Sequence, residues 1–288
     1  MAFRDDLSAR RFLKLVELRP PKGVVLEPLL DVAGRLRGRV DAVVVTDNAG
    51  AVMTACPIPV ARRLVEQGHE VVLHVSCRDR NRLAVQSVLL GAAVEGVRNI
   101  MVTRGLDGAY GDHPRARMVY DLEPHEVIKA ARVLGEGKDL GGSQVDGTVD
   151  LLCGAEVNPW LEHEALDEEL REAARRVEAG ARFLITPAVH DIERLAPFLG
   201  KIKALGAPVF ARVLLIKSVG MARYLNLNIA GCRIPDEAIK RLRKAPDKVA
   251  ESLRIAAEVA ADLRKICDGV CFIPLGWEAH LPALMDQV

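Results

Sequence analysis

Apolar residues along this chain come in short continuous runs, rich in β-branched side chains, and do not alternate strictly with polar ones. The runs are Leu13–Leu18, Asp41–Thr46, Val71–Ser76, Asn99–Thr103, Val149–Gly154, Arg182–Thr186, Pro208–Leu214 and Gly269–Ile273. Such runs predict parallel strands covered on both faces. Between them, Pro28–Arg37, Pro57–Gln67, Asn81–Glu95, Pro124–Leu134, Ala165–Ala179, Ile192–Leu205 and Ala245–Ile266 carry helical patterns. Several open with proline or an Asp cap and stop at a glycine, as at Gly68, Gly96, Gly135, Gly180 and Gly206. Eight strand signals with helices between them, and no linker or break in composition, predict a (β/α)8 barrel forming one domain over residues 1–288. A doubly wound open sheet fits the even spacing less well.

A barrel carries its chemistry in the loops after its strands. Polar residues do collect at those strand ends: Glu17, Thr46-Asp47-Asn48, His74, Ser76-Cys77-Arg78, Arg104-Gly105, Glu156, Asn158, Thr186 and Lys217-Ser218. Each alone could be a cap or a turn residue, but together they read as a polar pocket. Glu17 has the most telling context. Leu13, Val16 and Leu18 mark an apolar strand, and Pro20-Pro21 stops it from continuing as a ladder. A carboxylate at the end of a buried strand is costly unless something needs it. The alternative is a partly exposed Glu17 paired with Arg19 or Lys22.

Composition narrows the partners. Of 288 residues, 50% are hydrophobic, enough for a large core. Forty basic and thirty-nine acidic residues give a formal charge of +1, and no block of one sign stands out, so neither nucleic acid nor an anionic membrane is the implied partner. The opening segment Met1 to Arg11 is charged and lacks an apolar core, and the run Val209 to Ile216 is short and broken by Arg212. The expectation is a soluble cytosolic protein. Six cysteines show no C-x-x-C pair or zinc-ribbon spacing. A metal shared by His74, Cys77 and Cys56 lacks a further partner at ligand spacing, so no metal site is expected.

Two segments speak about a ligand. Cys77-Arg-Asp-Arg-Asn-Arg82 places three arginines at the opening of a helix, against its dipole. A bound phosphate would relieve that conflict. Equally, Asp79 could cap the helix and pair with solvated arginines. The second segment, Arg104 to Glu123, is a long glycine-rich loop containing Tyr110, Asp112, His113 and Tyr120, and loops of this length in a compact barrel are usually functional. Neither a G-x-G-x-x-G after a strand nor a P-loop motif occurs.

Val16-Glu-Leu-Arg-Pro-Pro-Lys-Gly23, Val45-Thr-Asp-Asn48, Cys77-Arg-Asp-Arg-Asn-Arg82, Gly111-Asp-His-Pro114, Val177-Glu-Ala-Gly-Ala181, Lys217-Ser218 with Met221-Ala-Arg-Tyr224, and Ile273-Pro-Leu-Gly-Trp-Glu278 together carry a resemblance. In this set the chain resembles the methylenetetrahydrofolate reductases of the single-domain bacterial type, from its first strand to its last helix. The resemblance implies a TIM barrel that holds FAD. Hydride would pass from NADH, NADPH or a protein electron donor through the flavin to 5,10-methylenetetrahydrofolate, a CH-NH reduction that belongs to one-carbon metabolism and methionine biosynthesis. Glu17 matches the family's general acid. Thr46, His74, Arg104 and Gly105 match flavin-contacting positions, and Arg175 and Arg176 match basic residues near the cofactor's phosphates. Arg78, Arg80 and Tyr120 join the expected cofactor site. Asn48, Glu156, Asn158, Thr186 and Lys217 join the expected folate site.

Three positions depart from the family pattern. Gly105-Leu106-Asp107 stands where Gly-Asp is usual, so Asp107 is expected to take the place of the aspartate beside the flavin. Pro187 follows Thr186 where a folate-contacting glutamine is usual, and Asn158 replaces a histidine. These departures keep open a reductase-like subunit or pterin-binding barrel within a larger one-carbon or electron-transfer assembly. A pterin-dependent methyltransferase is a more distant reading. Either way, a homo-oligomer or a complex with a partner subunit is expected.

Overall fold

A computed structural model describes residues 3–229 and 232–288; Met1 and Ala2, which open the charged first segment, lie outside the described residues. Eight parallel strands close into a barrel in chain order: β1 (Leu13–Leu18), β2 (Ala42–Val45), β3 (Val71–Ser76), β4 (Asn99–Thr103), β5 (Leu152–Glu156), β6 (Ala181–Ala188), β7 (Val209–Leu214) and β8 (Gly269–Ile273). β8 closes on β1 through the pairs Leu13 with Gly269 and Leu15 with Cys271. This is the expected (β/α)8 barrel.

The helices are α1 (Phe3–Ser8), α2 (Glu27–Leu36), α3 (Pro57–Glu66), α4 (Arg82–Val94), α5 (Pro124–Gly135), α6 (His163–Ala179), α7 (Ile192–Ile202), α8 (Val219–Asn228), α9 (Asp236–Lys244), α10 (Lys248–Leu263) and α11 (Leu281–Met285). Four of them, α1, α8, α9 and α11, are additions to the sequence expectation. Asp247 caps α10, accepting from Ala250 N at 3.0 Å, so the helix starts three residues later than the apolar pattern suggested. The fifth strand also shifts, from Val149–Gly154 to Leu152–Glu156. Residues 149–151 precede the ladder, and there Asp150 is bound by Arg4 at 2.8 Å.

Side chains alternate along each strand, and the two phases have different jobs. The outward phase, including Val16, Leu18, Val43, Val45, Leu73 and Val75, packs under the helices. The inward phase fills the barrel with Leu13, Leu15, Val44, Val72, Met101, Ile185, Phe183 and Phe210. α1 plugs the N-terminal mouth: the Phe3 ring lies 5.7 Å from that of Phe183 and 6.2 Å from that of Phe210. Gly154 has no side chain because Phe183 occupies that space; a Cβ there would lie 2.2 Å from its ring.

Candidate active site

Two residues further along each strand, the same inward phase turns polar. Glu17 follows Leu13 and Leu15, Thr46 follows Val44, His74 follows Val72, Thr103 follows Met101, and Arg212 follows Phe210. Glu156 stands level with Thr103, because β4 pairs Met101 with Gly154. Glu17, His74, Thr103, Glu156 and Arg212 form the floor of a cleft at the C-terminal mouth, while Thr46 is fully buried and does not line it. Arg212, only 6% exposed, is its centre. Its Nη1 donates to Glu156 Oε1 at 2.5 Å, its Nε stands 3.8 Å from Glu17 Oε2, and Thr103 donates its hydroxyl to the second oxygen of Glu156.

The environments push these groups apart. Burial opposes the charge of Arg212, but Glu156 and Glu17 outweigh it and hold the guanidinium protonated. Burial also opposes ionisation of Glu156, yet the charge of Arg212 and the hydrogen bonds from Thr103 and Arg212 bring it below the usual carboxylate range. Glu17 goes the other way: burial raises it, Arg212 pulls it down less, and the charge on Glu156 adds to the rise. Burial, helped by Arg212, pushes the His74 imidazole down to about 3, so it is neutral at pH 7. Thr46 Oγ1, His74 Nε2 and Arg212 Nε are buried without a hydrogen-bond partner among the described residues. Buried polar atoms of this kind are costly and mark a place where a ligand can bond.

The cleft above this floor holds about 520 Å³, with Asn48, Arg78, Arg104, Gly105 and Leu106 on its walls. Gly105 adopts φ +86°, and a Cβ there would lie 2.5 Å from Ser76 Oγ, so this turn requires glycine. A larger lobe of about 850 Å³ opens on the other side of Glu17 and shares that residue, Ala49, Gly50 and Leu275 with the cleft. A smaller recess of about 250 Å³ brings Asn158 and Arg176 up to Glu156 and Arg212.

The structure sorts the remaining sequence candidates. Arg104 lies 4.4 Å over the ring of Tyr120 and pairs with Glu123 at 3.2 Å, and the Tyr120 hydroxyl donates to Gly105 O at 3.3 Å. Arg78 is held by Asp79 and donates to Leu106 O, Arg80 pairs with buried Asp47, and Arg82 pairs with Asp121 at 3.0 Å. The conflict at the opening of α4 is thus relieved by carboxylates, while Asn81, not Asp79, caps the helix. Arg176 is buried between Glu169, at 2.7 Å, and Glu156 O, also at 2.7 Å. Arg175 faces outward and pairs with Glu172. Asp107 does not line the cleft; it caps a short turn by accepting from Ala109 N at 2.8 Å, and Leu106 takes the wall position. Thr186 is fully buried and donates to Pro187 O, so Pro187 and Ala188 line the cleft in its stead. Lys217 is bound to Leu275 O, on the β8 loop.

Sequence reasoning passed over Arg212, whose signal was a charge inside an otherwise continuous apolar strand. It also passed over how the long loop is seated. Asp112 accepts from Met53 N at 3.0 Å and pairs with Lys22, and a Cβ on Gly111 would lie 1.8 Å from Ala51 O, so the β4 loop is pressed onto the β1 and β2 loops. All six cysteines are free, and among the described residues no group of three or more His, Cys, Asp or Glu side chains is arranged to hold a metal ion.

The family described as methylenetetrahydrofolate reductase matches residues 2–283. A curated relative, Methylenetetrahydrofolate reductase 2 of Schizosaccharomyces pombe, is 24% identical over 219 residues, covering 72% of this chain and 33% of that protein. The chain thus spans about a third of the length of that relative. Among solved structures, an uncharacterised protein from Clostridium thermocellum that binds two copies of 5-methyl-5,6,7,8-tetrahydrofolic acid aligns with a TM-score of 0.67 at 14% identity, over 99% of this chain and 97% of the other. Mycobacterium tuberculosis tryptophan synthase aligns with a TM-score of 0.57 at 14% identity, over 99% and 94%. At these identities the solved structures share the fold. On the match over nearly its whole length, the chain belongs to the methylenetetrahydrofolate reductase family.

Proposed function

We propose that this chain reduces 5,10-methylenetetrahydrofolate to 5-methyltetrahydrofolate, with FAD as the hydride carrier and NADH, NADPH or a protein as the electron source. The observation that carries this reading is the pair of unlike carboxyl groups on the cleft floor: Glu156 ionised on Arg212, and Glu17 raised and, among the described residues, without a hydrogen bond, where the cleft meets its larger lobe. Opening the methylene bridge builds negative charge on the departing nitrogen, and Glu17 is placed to protonate it. The apolar half of the barrel closes the floor from below, so the proton is not exchanged through it.

His74 Nε2, buried on the cleft floor without a partner among the described residues, can bond the polar edge of a flavin ring, so the residues present fit the cofactor. His74, Arg104 and Gly105 would hold the ring system, and Arg78, Arg104 or Arg176 its diphosphate, the arginines in exchange for their present carboxylate partners. FAD bound there supplies a two-electron carrier between donor and folate. The larger lobe, walled by Pro28, Leu29 and Val32 with Arg19 and Arg35 at hand, suits the benzoyl-glutamate arm of the folate. Among the described residues no helix is long and apolar enough to cross a membrane, in keeping with a cytoplasmic role.

The test is anaerobic stopped-flow absorbance on the purified protein. Reduced flavin should reoxidise on mixing with 5,10-methylenetetrahydrofolate and release 5-methyltetrahydrofolate, identified by mass. A protein that carries no flavin, or whose reduced flavin ignores the folate, overturns the reading. Exposed Leu106, Tyr110, Met118 and Leu275 around the mouth favour a second reading, a barrel subunit that receives electrons from a partner protein.

A further inference from the structure

Two carboxyl groups and one guanidinium share the cleft floor, and they are not shared evenly. Arg212 stands on β7 and reaches Glu156 on β5 at 2.5 Å, while Glu17 on β1 is left at 3.8 Å. Glu156 is fixed from several sides. Its carboxylate accepts from Arg212 and Thr103, and its carbonyl accepts from Arg176, which is itself tied to Glu169. With that many anchors Glu156 has little freedom to release Arg212. Glu17 has none of them: among the described residues no hydrogen bond reaches its carboxyl, and Arg212 Nε, the guanidinium atom beside it, is the one without a partner.

The other charged or titratable groups facing Glu17 divide by sign. Arg19 at the end of β1 is the other cation, Glu278 in the β8 loop opposes it, and Cys271 on β8 carries a thiol that burial pushes up, so it is neutral. His74 on β3 is neutral too. Arg212 is therefore the buried cation that decides between the two carboxyl groups.

We propose that Arg212 is a positioning residue: by bonding Glu156 and standing off from Glu17, it fixes Glu156 as the ionised carboxylate and leaves Glu17 as the group that can give a proton. The inference rests on Glu17 being the acid of the proposed reaction. In that step the C–N bond of the methylene bridge breaks with its electron pair on nitrogen, the proton of Glu17 passes to that nitrogen, and Glu17 becomes a carboxylate. The free Nε of Arg212 can then close the 3.8 Å gap and bond the new charge, so the same cation that is withheld before the transfer is available after it. Solvent in the cleft returns the proton.

The test is a 13C NMR titration of protein labelled at the glutamate carboxyl carbons, with the Glu17→Gln spectrum identifying the Glu17 signal. In Glu156→Gln, Arg212 loses its carboxylate partner and turns to Glu17, which should titrate lower by about one pH unit or more. In Arg212→Gln, Glu17 should titrate higher, and Arg212→Lys should bring it back toward the parent. Activity is lost as pH rises through the Glu17 pKa, so the alkaline limb of kcat/KM should move down in Glu156→Gln and up in Arg212→Gln. Structural damage alone would not shift the two variants in opposite directions. A Glu17 signal in Glu156→Gln that titrates as in the parent overturns the proposal, and so do shifts of the same sign in both variants. If Arg212→Gln does not fold, as judged by circular dichroism, the Glu156→Gln arm decides alone. The titration needs no turnover. Absent folate reduction with the expected shifts sinks the reductase reading only, and normal reduction without them sinks only this one.

Discussion

The lower and upper halves of the barrel interior are built by the same strands in the same phase, yet they differ in almost every chemical respect. Below lie Leu15, Val44, Val72, Met101 and Phe210, sealed by Phe3 of α1. One side-chain repeat above them, about 6–7 Å along the strand, lie Glu17, Thr46, His74, Thr103 and Arg212. The lower half pays its own way by burying apolar surface. The upper half does not, since a buried charge is costly unless it is paired and hydrogen-bonded. That is why Arg212 and Glu156 are bonded to each other, and why the atoms left over, Thr46 Oγ1, His74 Nε2 and Arg212 Nε, are informative. The comparison teaches that the dry lower half gives the upper one its unusual acid–base properties, by excluding water from beneath Glu17 and His74.

The largest expected effect breaks the upper half and spares the lower. Glu17→Gln keeps the shape of the side chain but has no proton to give, so folate reduction should fall by roughly 10²–10⁴ while the melting temperature and flavin reduction by the electron donor stay close to the parent. Stopped-flow absorbance follows the two half-reactions separately. Reoxidation by methylenetetrahydrofolate at the parent rate would make Glu17 a structural residue only.

The converse experiment breaks the lower half. In Gly154→Ala the added methyl lies 2.2 Å from the Phe183 ring, inside a filled barrel. Overpacking of this kind should cost about 1–3 kcal/mol of stability. Thermal or urea unfolding measures it, and kcat per folded molecule should change little. Unchanged stability would mean that Phe3, Phe183 and Phe210 repack freely, against the close packing of the plug.

Much of this division was legible in the sequence, and what was not has physical causes. The bounds of β1, β3, β4 and β8 agree with their apolar runs, because parallel strands covered on both faces need continuous hydrophobicity. Pro20-Pro21 correctly ended β1 just past Glu17. Arg212 was missed because a charge inside an apolar run reads as an interruption, and only barrel closure shows that its inward phase meets Glu17 and Glu156. For the arginines that open α4 the sequence left a phosphate and a carboxylate partner equally open; the pairings of Arg78 with Asp79, Arg80 with Asp47, Arg175 with Glu172 and Arg176 with Glu169 depend on loop and helix geometry that spacing does not reveal. Helix α9 had a usable signal, Pro235 followed by Asp236 and Glu237 in its first turn and basic residues in its last, but one helix per strand was expected there.

A third experiment sharpens the comparison by testing a buried polar group outside the paired network. His190 is 6% exposed, and neither ring nitrogen has a hydrogen-bond partner among the described residues. Burial pushes its pKa down to about 4, so it folds neutral. With an unfolded value near 6.5, the unfolded chain takes up the proton first, and stability should be intact above that pH and fall as pH drops toward 4. His74, at about 3, acts in the same direction. His190→Phe should remove its own share, about 2 kcal/mol at pH 5, while changing little at pH 8. Urea unfolding at the two pH values checks this. A gain of equal size at both would point to better packing and not to proton uptake.

The smallest expected effect separates two adjacent arginines that the sequence treated alike. Arg176 is buried and bonds Glu169 and the carbonyl of Glu156, so it belongs to the support of the upper half. Arg175, one residue earlier on α6, points to the outer surface, where it pairs with Glu172 and lies 3.7 Å from Glu168. Exposed pairs of this kind are worth roughly 0.2–1 kcal/mol, since solvent and salt screen them and ordering two long side chains opposes them. Arg175→Ala should therefore lower stability by no more than that, with the loss shrinking at high salt. It should leave flavin retention, followed by fluorescence recovery on dilution, at the parent level. Arg176→Ala is the comparator: it strips Glu169 and the Glu156 carbonyl of a buried donor and should weaken retention and stability together. If Arg175→Ala releases flavin as readily as Arg176→Ala does, then α6 presents both arginines to the cofactor, and the upper half extends to the outer face of that helix.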